Sequence, residues 1–141
     1  MNISKQYKEI IVEELKSIAK KMTETSDLDE KIYFFSATYS IMNRIFNLEF
    51  NPTLVLIHTV LQNACLSISA RVDASIRGQD RAMKIPNRLF DALQEKVVDL
   101  AEIINKDNKN ELFINLQEIA NISYLTTGNG YYLFNKGMLK I

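Results

Sequence analysis

The chain has one histidine and one cysteine, His58 and Cys65, and both fall on the same apolar stretch. A histidine serves as a general base or metal ligand only beside partners, such as a hydroxyl to deprotonate or carboxylates at matching helical spacing. Four residues before His58 stands Leu54, and four after it Gln62. No HExxH, ExxH or HxxxH occurs. A structural, hydrogen-bonded His58 is expected, with no metal site. Cys65 alone can form neither an internal disulfide nor a cysteine-based zinc cluster. Among apolar neighbours it reads as an inert buried thiol.

Three other constellations could carry chemistry. Asn63, Ser67 and Arg71 follow at four-residue steps and share a helical face. With Tyr124 as a cap they form a candidate polar pocket, in which a buried arginine would need an acid. Glu102 and Glu118 are the nominees. Four of the five arginines lie between positions 71 and 88. Arg77, Arg81, Lys84 and Arg88 face only Asp80 in that segment. Arginine forks suit phosphate and carboxylate, so these four form the candidate anion-binding set. Gly128-Asn129-Gly130 could offer backbone amides to an anion, but it lacks the Lys-Ser/Thr of a P-loop and reads as a helix stop and turn. No GxSxG and no Ser-His-Asp arrangement is present. Catalytic residues and cofactors are therefore assigned as none, and an enzyme is not the favoured reading.

These residues hang on one long element. Residues 52–77 have no interior Gly or Pro. Asn51 is placed as N-cap, Pro52 sits in the first turn where its missing N–H costs nothing, and Gly78 follows. The first half is apolar on nearly every side: Leu54, Val55, Leu56, Ile57, Val60, Leu61. The second half turns to small residues, among them Ala64, Ser67, Ala70 and Ala74. A helix apolar all round is normally the buried middle of a domain. The stretch is expected to be the central helix of the fold.

Four more helices are read from apolar residues at three- and four-residue steps. Residues 4–23 carry Tyr7, Ile11, Leu15, Ile18 and Met22, with Ser4 as N-cap. A second helix runs from a Ser26 cap to about Phe46, along Leu28, Ile32, Phe35, Tyr39, Met42 and Phe46. Its second edge holds Phe34 and Ile41. Residues 87–105 carry Phe90, Leu93, Val97, Leu100 and Ile104. Residues 111–126 carry Leu112, Leu116, Ile119, Ser123 and Thr126. The expected fold is all-α, a compact up-and-down bundle of about five helices forming a single domain over 1–141.

Bulk properties narrow the function. Seventeen acids balance seventeen Lys and Arg, which argues against an obligate nucleic-acid binder. The N-terminus lacks the apolar core of a signal peptide, and the run 54–61 is too short to span a bilayer. A cytoplasmic protein without membrane contact is expected. The Ile-, Lys- and Asn-rich composition suits an AT-rich prokaryotic genome. The aromatic residues Phe34, Phe46, Phe50, Tyr131, Tyr132 and Phe134 exceed what a minimal bundle must hide, and they form the candidate interface. The leading expectation is action by protein association, as a homodimer or an adaptor. The alternatives are a nucleic-acid or nucleotide-binding module on the segment 77–88, and an enzyme or ligand carrier with its pocket at Asn63, Ser67 and Arg71.

Overall fold

The computed structural model describes residues 1–76, 87–126 and 136–137, and their side chains except those of 74–76 and 87. Among these residues the chain forms five helices and no strand: α1 (Lys5–Thr23), α2 (Leu28–Leu48), α3 (Pro52–Ile76), α4 (Asn87–Lys106) and α5 (Lys109–Leu125). The all-α bundle expected from periodicity is present.

The helices close into a ring. α1 packs on α2, α2 on α3, α3 on α5, α5 on α4, and α4 back on α1. Side-chain contacts fix the directions. Lys8 Nζ donates to the Asn105 carbonyl at 3.4 Å, so α1 starts where α4 ends. Lys31 Nζ donates to the Met22 carbonyl at 2.6 Å, so α2 starts where α1 ends. Asn115 Nδ2 donates to the Lys96 carbonyl across the α4–α5 hairpin. α1, α3 and α5 therefore run one way, and α2 and α4 the other. α3 and α5 are the one parallel pair in the ring. Leu15, Phe35, Leu61, Leu93 and Ile119, one from each helix, are fully buried inside it.

The ring changes the part played by α3. It has two principal neighbours, α2 and α5, and its burial is one-sided. Leu54, Ile57, Leu61, Ala64, Cys65, Ile68 and Val72 face the core, while Leu56 and Leu66 are 40% and 62% exposed. The helix is a side of the bundle, not its enclosed axis. Its second half is buried through Ala64, Cys65, Ile68 and Val72, much as its first half is through Leu54, Ile57 and Leu61.

The caps explain the helix starts. Asn51 Oδ1 accepts from Thr53 N at 2.9 Å and Leu54 N at 3.3 Å, the N-cap arrangement expected. Its Nδ2 also donates to the carbonyls of Met1 and Asn2 at 3.0 and 3.1 Å. One buried side chain thus starts α3 and ties down the chain before α1. Ser4 is the N-cap residue of α1 as expected, although its hydroxyl makes no capping bond and, among the described residues, lies buried without a partner. One capping expectation is corrected. α2 is capped by Asp27, whose carboxylate accepts from Asp29 N, and not by Ser26. A carboxylate there gains from the helix dipole as well as from the hydrogen bond. The α4–α5 turn is a Schellman closure: Asn108 N donates to Ile103 O and Asp107 N to Ile104 O, with Asp107 at φ 58°. Asn108 then caps α5 through Glu111 N.

Asn51→Ala removes the α3 cap and the tie to Met1 and Asn2 together. The expected loss is about 1–3 kcal/mol, read as a lower midpoint in thermal or urea unfolding. A midpoint unchanged in Asn51→Ala would contradict this role.

Candidate functional site

α3 and α5 present a joint outer face. On α3, Leu56, Thr59, Asn63, Leu66 and Ala70 are exposed at three- and four-residue steps. On α5, Phe113, Gln117, Asn121 and Tyr124 follow the same rule, with Asn121 half-buried. None of these nine residues is charged. No Lys, Arg, Asp or Glu occurs anywhere between 52 and 70. Between the two stripes runs a groove of about 310 Å³, lined by Asn63, Ser67, Gln117, Asn121 and Tyr124 among others.

The groove unites three of the four residues of the candidate polar pocket: Asn63, Ser67 and Tyr124. Arg71 is half-buried one turn further on and does not line it. The two acids nominated for Arg71 are engaged elsewhere. Glu102 pairs with Lys16 at 3.0 Å, and Glu118 pairs with Lys96. The groove therefore lies open on the surface, lined by amide and hydroxyl groups, without a charge to activate water or hold an ion.

His58 is half-buried in the seam between α2 and α3. Its ring meets Tyr39 edge-to-face at 5.8 Å and Phe46 at 5.4 Å. Among the described residues it is held by these ring contacts and not by the hydrogen bond expected. Cys65 is buried, with its Sγ 4.0 Å from Ser69 Oγ. Burial pushes the thiol above its ordinary range, against a smaller lowering by Ser69, which disfavours the reactive thiolate. Among the described residues no group of three or more His, Cys, Asp or Glu is placed to hold a metal ion.

The other proposed sets are dispersed. Arg77, Arg81 and Lys84 lie outside the described residues; Arg88 is exposed in the first turn of α4. Of the candidate interface, Phe34 and Phe46 are half-buried against the core, which accounts for part of the aromatic excess. Phe50 is 74% exposed just before α3, beside Leu48 at 72%. Tyr131, Tyr132 and Phe134 lie outside the described residues. Leu56, Leu66 and Phe113 were not singled out by sequence reasoning. For Leu56 and Leu66 the signal was the charge-free span 52–70, whose outward residues repeat at helical steps; Phe113 had none.

On the other side of α5 lies a charged groove of about 370 Å³, lined by Asp99, Glu102, Glu111 and Glu118 among others. Lys96 reaches both Glu118 and Asp99. Its hydrogen bond to Glu118 raises the ammonium above the ordinary lysine range, against a smaller lowering by burial. Asn115 beneath it is 3% exposed, and its Oδ1 has no hydrogen-bond partner among the described residues.

Comparison of the chain with protein-family models, with characterised proteins and with solved structures finds no match.

The Lys96–Glu118 pair has a defined pH signature. A lysine whose folded pKa is raised adds stability below its unfolded pKa, and that stability is lost as pH rises through the folded value. Glu118→Gln should therefore lower stability by about 0.5–1 kcal/mol at neutral pH. The difference from the parent chain should shrink above about pH 10.4. Urea unfolding at stepped pH measures it; a difference that grows above that pH would contradict the assignment.

Proposed function

We propose that the protein works by association, as a homodimer that meets on the α3–α5 face. One observation carries this reading. α3 is long and apolar enough to cross a bilayer, with a mean hydropathy of 1.4 over Pro52–Asp73, yet only 33% of that window is buried in the bundle. The apolarity of α3 therefore exceeds what its own core uses.

The chemistry of the face supports a protein partner. Interface centres are depleted in charge and combine large apolar side chains with polar groups that can pair. Leu56, Leu66, Phe113 and Tyr124 supply the first kind; Asn63, Gln117 and Asn121 supply the second. A second copy is favoured over an unrelated partner because the chain has zero formal charge, so two copies meet without net repulsion. A two-fold axis brings the same patch of both copies together, with Leu66 of each beside the other's groove. Phe50 extends the apolar surface at the start of α3.

The adaptor reading is favoured less because it needs a partner whose surface matches by separate selection, whereas a two-fold dimer matches itself. Multi-angle light scattering at tens of micromolar should give twice the 16.2 kDa chain mass. Leu66→Glu places a charge at the centre of the face and should give a monomer with unchanged helicity and a melting midpoint that no longer depends on protein concentration. Ile10→Ser, on α1 and off the face, should leave the dimer intact. A monomer for the parent chain at every concentration, or a dimer insensitive to Leu66→Glu, would contradict the proposal.

A further inference from the structure

A polar groove outside the α3–α5 face lies between α1 and α2. Its volume is about 460 Å³, within the range of small-molecule sites. It forms where the two antiparallel helices meet through small side chains: Ser17 on α1, and Ser36, Ala37 and Ser40 on α2. Positions 14, 17 and 21 of α1 and 33, 36, 40 and 44 of α2 recur at three- and four-residue steps, so each set is one helical face. Lys21 and Tyr33 stand at one end, Arg44 at the other, and Glu14 between them on the α1 side. The motifs sought in the sequence include none of these residues.

Three properties of the groove define a ligand. First, two cations line it, and neither Lys21 nor Arg44 makes an ion pair among the described residues. An unpaired guanidinium offers a planar fork suited to a phosphate. Second, Tyr33 is 73% exposed although it is a large aromatic side chain. Its ring meets Phe34 edge-to-face at 5.9 Å, and the exposed remainder of the ring is available to a flat partner. Third, the floor is hydroxyl-bearing. The Ser36 hydroxyl donates to the Tyr33 carbonyl, so its lone pairs remain to accept. Ser17 and Ser40 beside it can donate or accept, and the Glu14 carboxylate accepts from hydroxyl groups.

A phosphate at one end, a sugar's hydroxyls in the middle and a flat ring at the other end match these three zones in order. We propose that the α1–α2 groove binds a mononucleotide, with its phosphate on Arg44, its ribose along Ser40, Ser36 and Glu14, and its base stacked on Tyr33. Lys21 at the base end adds positive potential and can donate to a base carbonyl or ring nitrogen. The groove shares no residue with the α3–α5 face, so dimer formation and nucleotide binding are separable by experiment.

The test is calorimetric titration of the full chain with AMP, adenosine and inorganic phosphate, each alone. AMP should bind saturably with a Kd on the order of 1 mM or tighter. Adenosine should bind more weakly, and phosphate alone more weakly still. Arg44→Gln should weaken AMP roughly tenfold, from the loss of a charge-assisted hydrogen bond, and leave adenosine unchanged. Tyr33→Ala should weaken AMP and adenosine alike by roughly tenfold, from the loss of base stacking. Both positions are exposed, so neither change should shift the melting midpoint. No saturable AMP binding, AMP binding equal to that of adenosine, or AMP binding unaffected by both substitutions would each overturn the proposal.

Discussion

A helix that carries no Lys, Arg, Asp or Glu from 52 to 70 must lose water along most of its length. That constraint organises the bundle. α2 and α5 cover the inner side of α3, and α1 and α4 close the ring behind them. Each helix keeps two principal neighbours, so no helix is enclosed on all sides. For α1 and α4 this is no strain, because their outer faces are charged: Glu13, Lys16, Lys20, Asp91, Glu95 and Asp99 stand on them. For α3 it leaves leucines in water. The ring and the uncharged face are thus two consequences of one sequence property.

The lower end of the bundle shows how the ring is registered. Asn51 serves two backbone segments at once: the start of α3, and the carbonyls of Met1 and Asn2 that precede α1. The Met1 amino group in turn donates to Asp107 Oδ1 at 2.8 Å, in the turn between α4 and α5. That ammonium holds the Asp107 carboxyl below the usual carboxylate range. Two of the four helix connections, α2–α3 and α4–α5, therefore meet the segment before α1 at one end through hydrogen bonds. The opposite end is where α3 and α5 finish and α4 begins, with Ile68, Phe90, Leu93, Ile122 and Thr126 drawn together around a small apolar gap.

Much of the fold was legible because amphipathic period is a direct record of burial. The stripes read for α4 and α5 are buried residue for residue, from Phe90 to Ile104 and from Leu112 to Thr126. Asn51-Pro52 announced the start of α3 for the physical reason that governs it. The role of α3 was not legible. Apolarity on all sides says that two sides need covering, but not whether the second cover comes from the same chain. Ser26 lost the α2 cap to its neighbour Asp27 because adjacent capping residues compete and a charge gains from the dipole. Four-residue spacing put Asn63 and Ser67 on one face, and they line one groove with Tyr124, but Arg71, one turn along, does not line it. The α1–α2 groove had no signal, since Ser17, Ser36 and Ser40 gain meaning only when two helices bring them together.

The central claim is that the outer side of α3 is covered by a second copy of the chain. Hydroxyl-radical footprinting across a dilution series from about micromolar to hundreds of micromolar, a span chosen to bracket an ordinary dimer affinity, tests it most directly. Leu56, Leu66, Phe113 and Tyr124 should be oxidised in the dilute protein and protected in the concentrated one, while Tyr33 and Ile10 react equally at both. Equal oxidation of Leu66 and Tyr124 at every concentration, or protection that appears on Tyr33 and Ile10 instead, would contradict it.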